Sequence, residues 1–572
     1  MTTIDRFEIH SYDVLVIGAG GAGLRAAIES SANGAKTALV SKSLLGKAHT
    51  VMAEGGVAAA IGNVDKEDNW QVHFKDTIKG GKFLNNYKMA ELHAKESPER
   101  VKELERWGAV FDRTKDGAIL QRAFGGHTYK RLAHVGDRTG LEIIRTLQDK
   151  GVHSGIDVFM ECTIIKLLKD GEKISGAFGY YRENGRFVIF KSKAIILATG
   201  GIGKSYKVTS NSWEYTADGQ ILSYNIGAEL QDVEFVQFHP TGMVWPPGVI
   251  GLLVTEAVRG EGGILTNKLG ERFMQKYDPE RMELSTRDVV ARSIYIENKE
   301  GRGSPHGGVF LDISHKGAEY IKKKLPSMYH QFKELADVDI TKVRVEVGPT
   351  CHYSMGGIRV DAESAETNIP GLFACGEVAA GLHGANRLGG NSLSDLLVFG
   401  RRAGLYGALY SKKITELKIN EKDILDAEKE MTGFFEEEKG ESPYKVHSDL
   451  QELMQTSVGI FRHENDLKVA VSGLSQLKER AKNIKVEGSR MYNPGWHLAY
   501  DLKNMITYSE AITKCALERK ESRGAHSRLD FPETDPECGK WNSVVRKGEN
   551  GEMVIEKIPL KEMPEELKKL LV

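Results

Sequence analysis

Cysteine is scarce and scattered: Cys162, Cys351, Cys375, Cys515 and Cys538 are the only five among 572 residues, and no two have C-x-x-C spacing. That pattern excludes a zinc ribbon, an iron–sulfur cluster held by this chain and a secreted disulfide framework, and it fits a reducing compartment. No stretch approaches the roughly 20 apolar residues that cross a bilayer. The opening MTTIDRFEIHSYD has neither an apolar signal core nor twin arginines, so no leader is expected and any membrane work must run through another protein. A charge excess is missing too: 78 Lys and Arg stand against 79 Asp and Glu, and no net field favours nucleic acid or an acidic lipid surface. Internal repeats and low-complexity segments are absent.

Length and glycine are what the chain has in plenty. Its size exceeds a single hydrophobic core and predicts roughly two to four domains. The 62 glycines cluster at Gly18–Gly23, Gly55–Gly56, Gly200–Gly201, Gly260–Gly263 and Gly389–Gly390, where a backbone can turn tightly or approach a ligand.

DVLVI at Asp13–Ile17 reads as a short buried strand, GAGGAG at Gly18–Gly23 as a turn, LRAAIESSANG as a helix and TALV as a second strand. In this G-x-G-x-x-G frame, Gly18 permits the turn, Gly20 lets the backbone approach a pyrophosphate, and Gly23 allows close helix–strand packing. The helix N-terminus then faces the anion. Strand two ends in Ser41-Lys42 rather than the Asp or Glu that takes a ribose hydroxyl, which weakens an NAD reading. Ser41 remains a candidate ribose ligand; Lys42 either meets a phosphate or is solvated.

AIILATGG at Ala194–Gly201 and GLFACGE at Gly371–Glu377 read as further pieces of the same domain, which predicts a discontinuous nucleotide domain with a region inserted between them. The expected divisions are 1–245 and 351–420 for that domain, 246–350 for the insertion, 421–540 for a helical domain and 541–572 for a C-terminal segment. Helical spacing carries the fourth of these: Leu450, Leu453, Met454, Val458 and Phe461 form one stripe, and Leu467, Val471, Leu474 and Leu477 another. Their charged faces are either solvated or turned to a partner subunit.

His49 lies in GKAHTVMAEGG, just after the glycine turn. A single histidine is more often a structural side chain than a reactive one. The run SKSLLGKAHTVMAEGG, however, resembles the segment in which flavoprotein subunits of succinate dehydrogenases and fumarate reductases carry a histidine bonded to the 8α-methyl group of FAD. The resemblance continues through RAFGG at Arg122–Gly126, DRTG at Asp137–Gly140, QFHPTG at Gln237–Gly242, TEAVRGEGG at Thr255–Gly263, TRDVVARS at Thr286–Ser293, PTCHYSMGG at Pro349–Gly357, HGANRLGGNSL at His383–Leu393 and ESRGAHSRLDFP at Glu521–Pro532.

That resemblance implies an α/β fold: a discontinuous Rossmann-like FAD-binding domain with an inserted α+β capping domain, a helical domain and a small C-terminal domain. It implies covalent FAD on His49, contacted by Gly18, Ala19, Gly20, Gly21, Ala22, Gly23, Ser41, Lys42, Thr50, Gly55, Gly56, Asp218, Glu377, Ser392 and Leu393. His239, Thr255, His352 and Arg387 would hold a small dicarboxylate, succinate or fumarate, while Arg287 exchanges a proton supplied through Glu256 and Arg259. Hydride would pass between a substrate carbon and flavin N5. No metal site is expected. Electrons would leave through an iron–sulfur subunit to a quinone, with membrane anchor subunits reached indirectly, placing the chain peripherally on the cytoplasmic face of the inner membrane.

Plainer readings exist for single residues: Thr255 caps a turn, Arg387 pairs with Glu377, Asp218 forms an Asx turn, and Glu256 with Arg259 makes a surface ion pair. The anchor segment has Lys47-Ala48-His49 and Glu54-Gly55-Gly56 where family members often carry Arg-Ser-His and Gln-Gly-Gly. An ionised Glu54 is expected to lower the flavin potential, which leaves the direction open between succinate oxidation and fumarate reduction. The alternatives are a soluble L-aspartate oxidase, against which His49 tells, and a non-catalytic electron-transfer or assembly subunit.

Overall fold

The computed structural model describes residues 4–436 and 439–572. Its floor is a parallel sheet in the order Asp157–Phe159, Thr37–Val40, Glu8–Ile17, Phe187–Leu197 and Leu372–Ala374. The first strand is longer than the Asp13–Ile17 stretch that announces it, because Glu8–Tyr12 continues the pairing with Val188–Ser192. Strand Phe187–Leu197 is the junction of the domain. Its first half pairs antiparallel with Lys173–Tyr181, which pairs in turn with Cys162–Asp170; its second half takes Leu372–Ala374 from the far side of the insertion. The nucleotide domain is therefore discontinuous, and AIILATGG and GLFACGE are neighbours in it. Helix Asn391–Ser411 lies against helix Gly21–Ala32 so closely that a Cβ on Gly404 would stand 2.3 Å from the Ala26 carbonyl oxygen.

The inserted region has its own core, Met243, Val254, Leu265, Ile294, Leu311, Met328 and Val347 among others. It is built on an antiparallel sheet of Val236–Met243, Val345–Ser354, Val309–Asp312 and Ile264–Thr266. The two long strands run from the floor into this cap, so the cap and the FAD-binding side share one ribbon. Helices Glu421–Gly433, Pro443–Ser457, Glu464–Ala481 and Pro494–Glu518 follow. Leu450, Met454, Val458, Leu467, Leu474 and Leu477 are buried there. Val471 is only partly buried and Ala470 takes the core position instead. Trp496 is fully buried, and its indole N–H donates to the Met431 carbonyl at 2.8 Å. The hairpin Trp541–Lys547 and Met553–Pro559 adds to Leu230–Gln231 and Gly357–Ile358 in a small sheet. Among the described residues no helix is long and apolar enough to cross a membrane.

Candidate active site

A cavity of about 1240 Å3, its open mouth included, follows the glycine turn; small-molecule and cofactor sites run about 300–1,000 Å3. Its wall contains Gly18, Ala19, Gly20, Gly21, Ala22, Ser41, Lys42, His49, Thr50, Asp218, Glu377, Ser392 and Leu393, together with His352 and Arg387. Gly18 has φ +110°, and a Cβ there would sit 2.2 Å from the Ala198 carbonyl oxygen, so only glycine makes this turn. Gly20, the N-cap of helix Gly21–Ala32, offers no side-chain acceptor. Thr50 Oγ1 accepts the Gly21 N–H at 3.2 Å, and the remaining end-of-helix donors suit a ligand anion. Gly23, Gly55 and Gly56 lie behind this wall, packed on Gly18, on the Phe124 ring and on Leu132–Ala133 respectively.

His49 starts a short turn, His49–Met52. The Ser212 N–H donates to its Nδ1 at 3.4 Å, Asn211 Nδ2 lies 3.1 Å from its Nε2, and the Tyr215 ring crosses it edge-on at 4.7 Å. Burial brings its pKa down to about 4, which leaves a neutral imidazole at pH 7.

Beside the cavity stands a buried polar cluster. Arg287, the first residue of helix Arg287–Lys299, donates from Nε to Glu256 Oε2 at 2.8 Å, and Glu256 Oε1 accepts the Gly125 N–H at 2.8 Å. Burial opposes ionisation of Glu256, but Arg287 and Arg259 outweigh it and hold the carboxyl below its ordinary range. Arg259 Nη2 is 3.7 Å from Glu256 Oε2, and both residues are at most 2% exposed, so they do not form a surface pair. Arg387 donates to Ser392 Oγ at 2.7 Å and to Gln237 Oε1 at 3.1 Å, and its guanidinium lies 4.1 Å over the Tyr353 ring. It does not pair with Glu377. Burial, reinforced by Arg287, takes Arg387 down to about 10.

His239 and His352 face each other at 5.1 Å, and burial pushes both far below the ordinary histidine value. Thr255 does cap a helix, accepting the Ala257 N–H at 3.2 Å, and is 2% exposed at the edge of this cluster. Three arginines, two neutral imidazoles and a carboxylate thus share one dry space, an arrangement suited to two anionic groups and one transferable proton.

The FAD binding domain family matches residues 13–393, and the fumarate reductase flavoprotein C-terminal family matches residues 447–569. The succinate dehydrogenase flavoprotein subunit of Coxiella burnetii is 41% identical over 92% of this chain and 93% of its own length. The chain belongs to the succinate dehydrogenase and fumarate reductase flavoprotein family. A subunit of the fumarate reductase (CoM/CoB) of Methanothermobacter marburgensis is 45% identical over 95% of this chain and 98% of its own. Among solved structures, Mycobacterium smegmatis Sdh1 in complex with UQ1 superposes with TM-score 0.88 at 57% identity, covering 97% of this chain and 95% of that one. A point variant of E. coli quinol fumarate reductase FrdA does so with TM-score 0.92 at 34% identity, covering 97% and 98%. As a member of this family the chain is an FAD-binding oxidoreductase, and the glycine turn, the uncapped helix and the cavity fit that cofactor.

For a flavoprotein of this family two sequence readings need correction. Lys42 is not solvated: its Nζ donates to Asp218 Oδ2 at 2.9 Å, Asp501 Oδ1 at 2.7 Å and Thr216 Oγ1 at 2.9 Å. Asp218 is thereby locked to the helical domain as well, through Asn504 at 3.0 Å. Removing the cation strands two buried carboxylates, so Lys42→Met is expected to cost about 3–5 kcal/mol, read as a lowered denaturation midpoint. Burial disfavours the negative charge expected on Glu54. Its Oε2 is buried without a partner, and burial with Asp137 repulsion keeps the carboxyl well above its ordinary pKa, outweighing Arg122.

Glu377 accepts the Ser354 N–H at 3.0 Å, and burial raises its pKa from 4.5 to about 7. The folded chain therefore holds this proton where the unfolded chain has released it. Its contribution is full below about pH 4.5 and lost as pH rises toward about 7. Thermal melts of the FAD-free chain at pH 5 and pH 8 should differ less in Glu377→Gln than in the wild type.

Sequence patterns alone do not single out Gln237, Tyr353, Asn211 and Tyr215. Gln237 Oε1 lies 3.4 Å from Arg287 Nη1 as well as 3.1 Å from Arg387 Nη2, so one amide oxygen spaces both cations. For this residue a signal exists: Gln237 stands two places before His239 on one strand, and alternate strand residues share a face.

Proposed function

We propose that this chain is the catalytic flavoprotein subunit of a succinate dehydrogenase, oxidising succinate to fumarate and passing the electrons to a quinone through an iron–sulfur subunit. The observation that carries the reading is the pair of buried guanidiniums of Arg287 and Arg387, spaced by Gln237 beside His239 and His352. Bound FAD supplies the two-electron acceptor. His352 and Arg387, on the cavity wall, and His239 and Thr255 behind them neutralise and orient the two carboxylates. Arg287 would hand a guanidinium proton to Glu256, which lies between it and Arg259, and refill the vacancy with the proton leaving the neighbouring substrate carbon.

His49, neutral and within the wall, is the group that would tether the flavin through its 8α-methyl carbon. Such a tether raises the flavin potential and favours the oxidative direction. The absence of C-x-x-C spacing supports an external iron–sulfur subunit, and the lack of a membrane-crossing helix among the described residues supports a peripheral place at the membrane, held by partners. Quinone as the distal acceptor is supported by the 57% identical Sdh1, solved with UQ1. The Methanothermobacter relative, named for CoM and CoB, supports a second reading as a fumarate reductase fed by thiols. Assaying the assembled complex for succinate oxidation with ubiquinone and menaquinone analogues, and for fumarate reduction with reduced viologen or with the two thiols, decides between them. Thiol-driven fumarate reduction without quinone activity would overturn the first.

A further inference from the structure

Helix Pro326–Ala336 of the cap begins without a cap of its own, because the residue in the N-cap position is Leu325. Its first two free N–H groups find an acceptor in the other domain: Ser327 donates to Asp137 Oδ1 at 3.1 Å and Met328 to Asp137 Oδ2 at 3.0 Å. Asp137 is fully buried, and its two carboxylate oxygens each accept one of these bonds. A charge at a helix N-terminus is strengthened by the aligned peptide dipoles. The contact thus joins two bodies that each have a separate hydrophobic core.

Asp137 is not free to drift. Two residues on, helix Thr139–Val152 begins, and its Gly140 N–H donates to the Ala53 carbonyl at 2.5 Å. A Cβ on Gly140 would stand 2.0 Å from the Thr50 carbonyl oxygen, so that helix sits directly on the His49–Met52 turn. Beside the contact runs a cleft with Met52 and Arg138 on one wall and Leu252, Ser327 and His330 on the other. Met52 also lines the large cavity. Gly125 N–H to Glu256 Oε1 at 2.8 Å crosses the same boundary, and Arg292 Nη1 of the cap donates to the Gly524 carbonyl of the helical domain at 2.7 Å.

We propose that Asp137 is a positioning residue: its carboxylate caps helix Pro326–Ala336 across the cleft and holds the cap closed in register with the His49 turn. Opening the cleft hydrates both the carboxylate and the helix end, so the contact can break and re-form. Closing it sets Glu256 and Arg287 against Gly125 and Gln237. The catalytic consequence rests on the dicarboxylate reading; the contact itself does not.

The test compares the full-length flavinylated wild type with Asp137→Asn and Asp137→Ser by amide hydrogen exchange, with and without malonate, and by steady-state kinetics. Expected in both variants is exchange at Ser327 and Met328 faster by about tenfold or more, with the rest of the FAD-binding domain unchanged. The KM for succinate should rise by about tenfold while kcat changes less, because bound dicarboxylate still recruits the closed state. Unchanged exchange at these two amides, an unchanged KM, or loosening spread over the whole FAD-binding domain with loss of flavin overturns the proposal. Exchange is read without turnover, so a wild type that turns over neither succinate nor fumarate sinks the dicarboxylate reading alone.

Discussion

An Arg287→Lys variant is expected to lose about 10²–10⁴-fold of kcat for succinate oxidation and for fumarate reduction, the range that a general acid–base group contributes. The guanidinium is 8% exposed and spreads over two partners, Nε on Glu256 at 2.8 Å and Nη1 toward Gln237 at 3.4 Å. A lysine carries one nitrogen on a flexible stem and cannot hold the carboxylate, face the amide oxygen and meet the substrate together. Because the positive charge is kept, Glu256 is not left unpaired, and the fold and flavin content should survive. Steady-state kinetics with the flavin absorbance as a loading control makes the measurement. A variant that keeps more than about a tenth of wild-type kcat removes Arg287 from the proton-transfer role.

The His49→Ala variant should lose its flavin on acid precipitation, whereas wild-type protein keeps yellow fluorescence through the denatured pellet. Its succinate oxidation should fall much further than its fumarate reduction. The asymmetry has a thermodynamic cause: a flavin without the histidyl substituent has a lower potential, and for a two-electron couple each 30 mV shifts the equilibrium about tenfold. The imidazole is already neutral, with a pKa of about 4, so the substitution removes no charge from the pocket. Any change in the oxidation-to-reduction ratio then reports on the tether. Retention of flavin through acid in the variant would remove His49 as the point of attachment.

Much of this is legible in the chain because it is local. The glycine frame, Gly18 at φ +110° above all, is a statement about backbone that the residue type itself makes. Helical spacing likewise places Leu450, Met454, Leu467 and Leu474 in the core. Two charges are not legible in this way, and both for the same reason. Lys42 reads locally as a phosphate ligand or a surface residue, but Asp218 and Asp501, far along the chain, enclose it. Glu54 reads as an ordinary ionised carboxylate, but burial and the neighbouring Asp137 push its pKa well above the usual value.

Residue type and short spacing were enough for the nucleotide turn, and the resemblance of the longer motifs supplied the family and the candidate groups for a dicarboxylate. Which of those groups are charged, and what each one touches, came only with the folded chain. Burial and partners drawn from distant segments set protonation states, as with Glu377 at about 7 and Arg387 at about 10. They also brought Asp137 to the uncapped end of a cap helix that no local pattern connects to it. Electrostatic energies depend on three-dimensional separation and on the exclusion of water, and neither is a property of neighbouring positions in a chain.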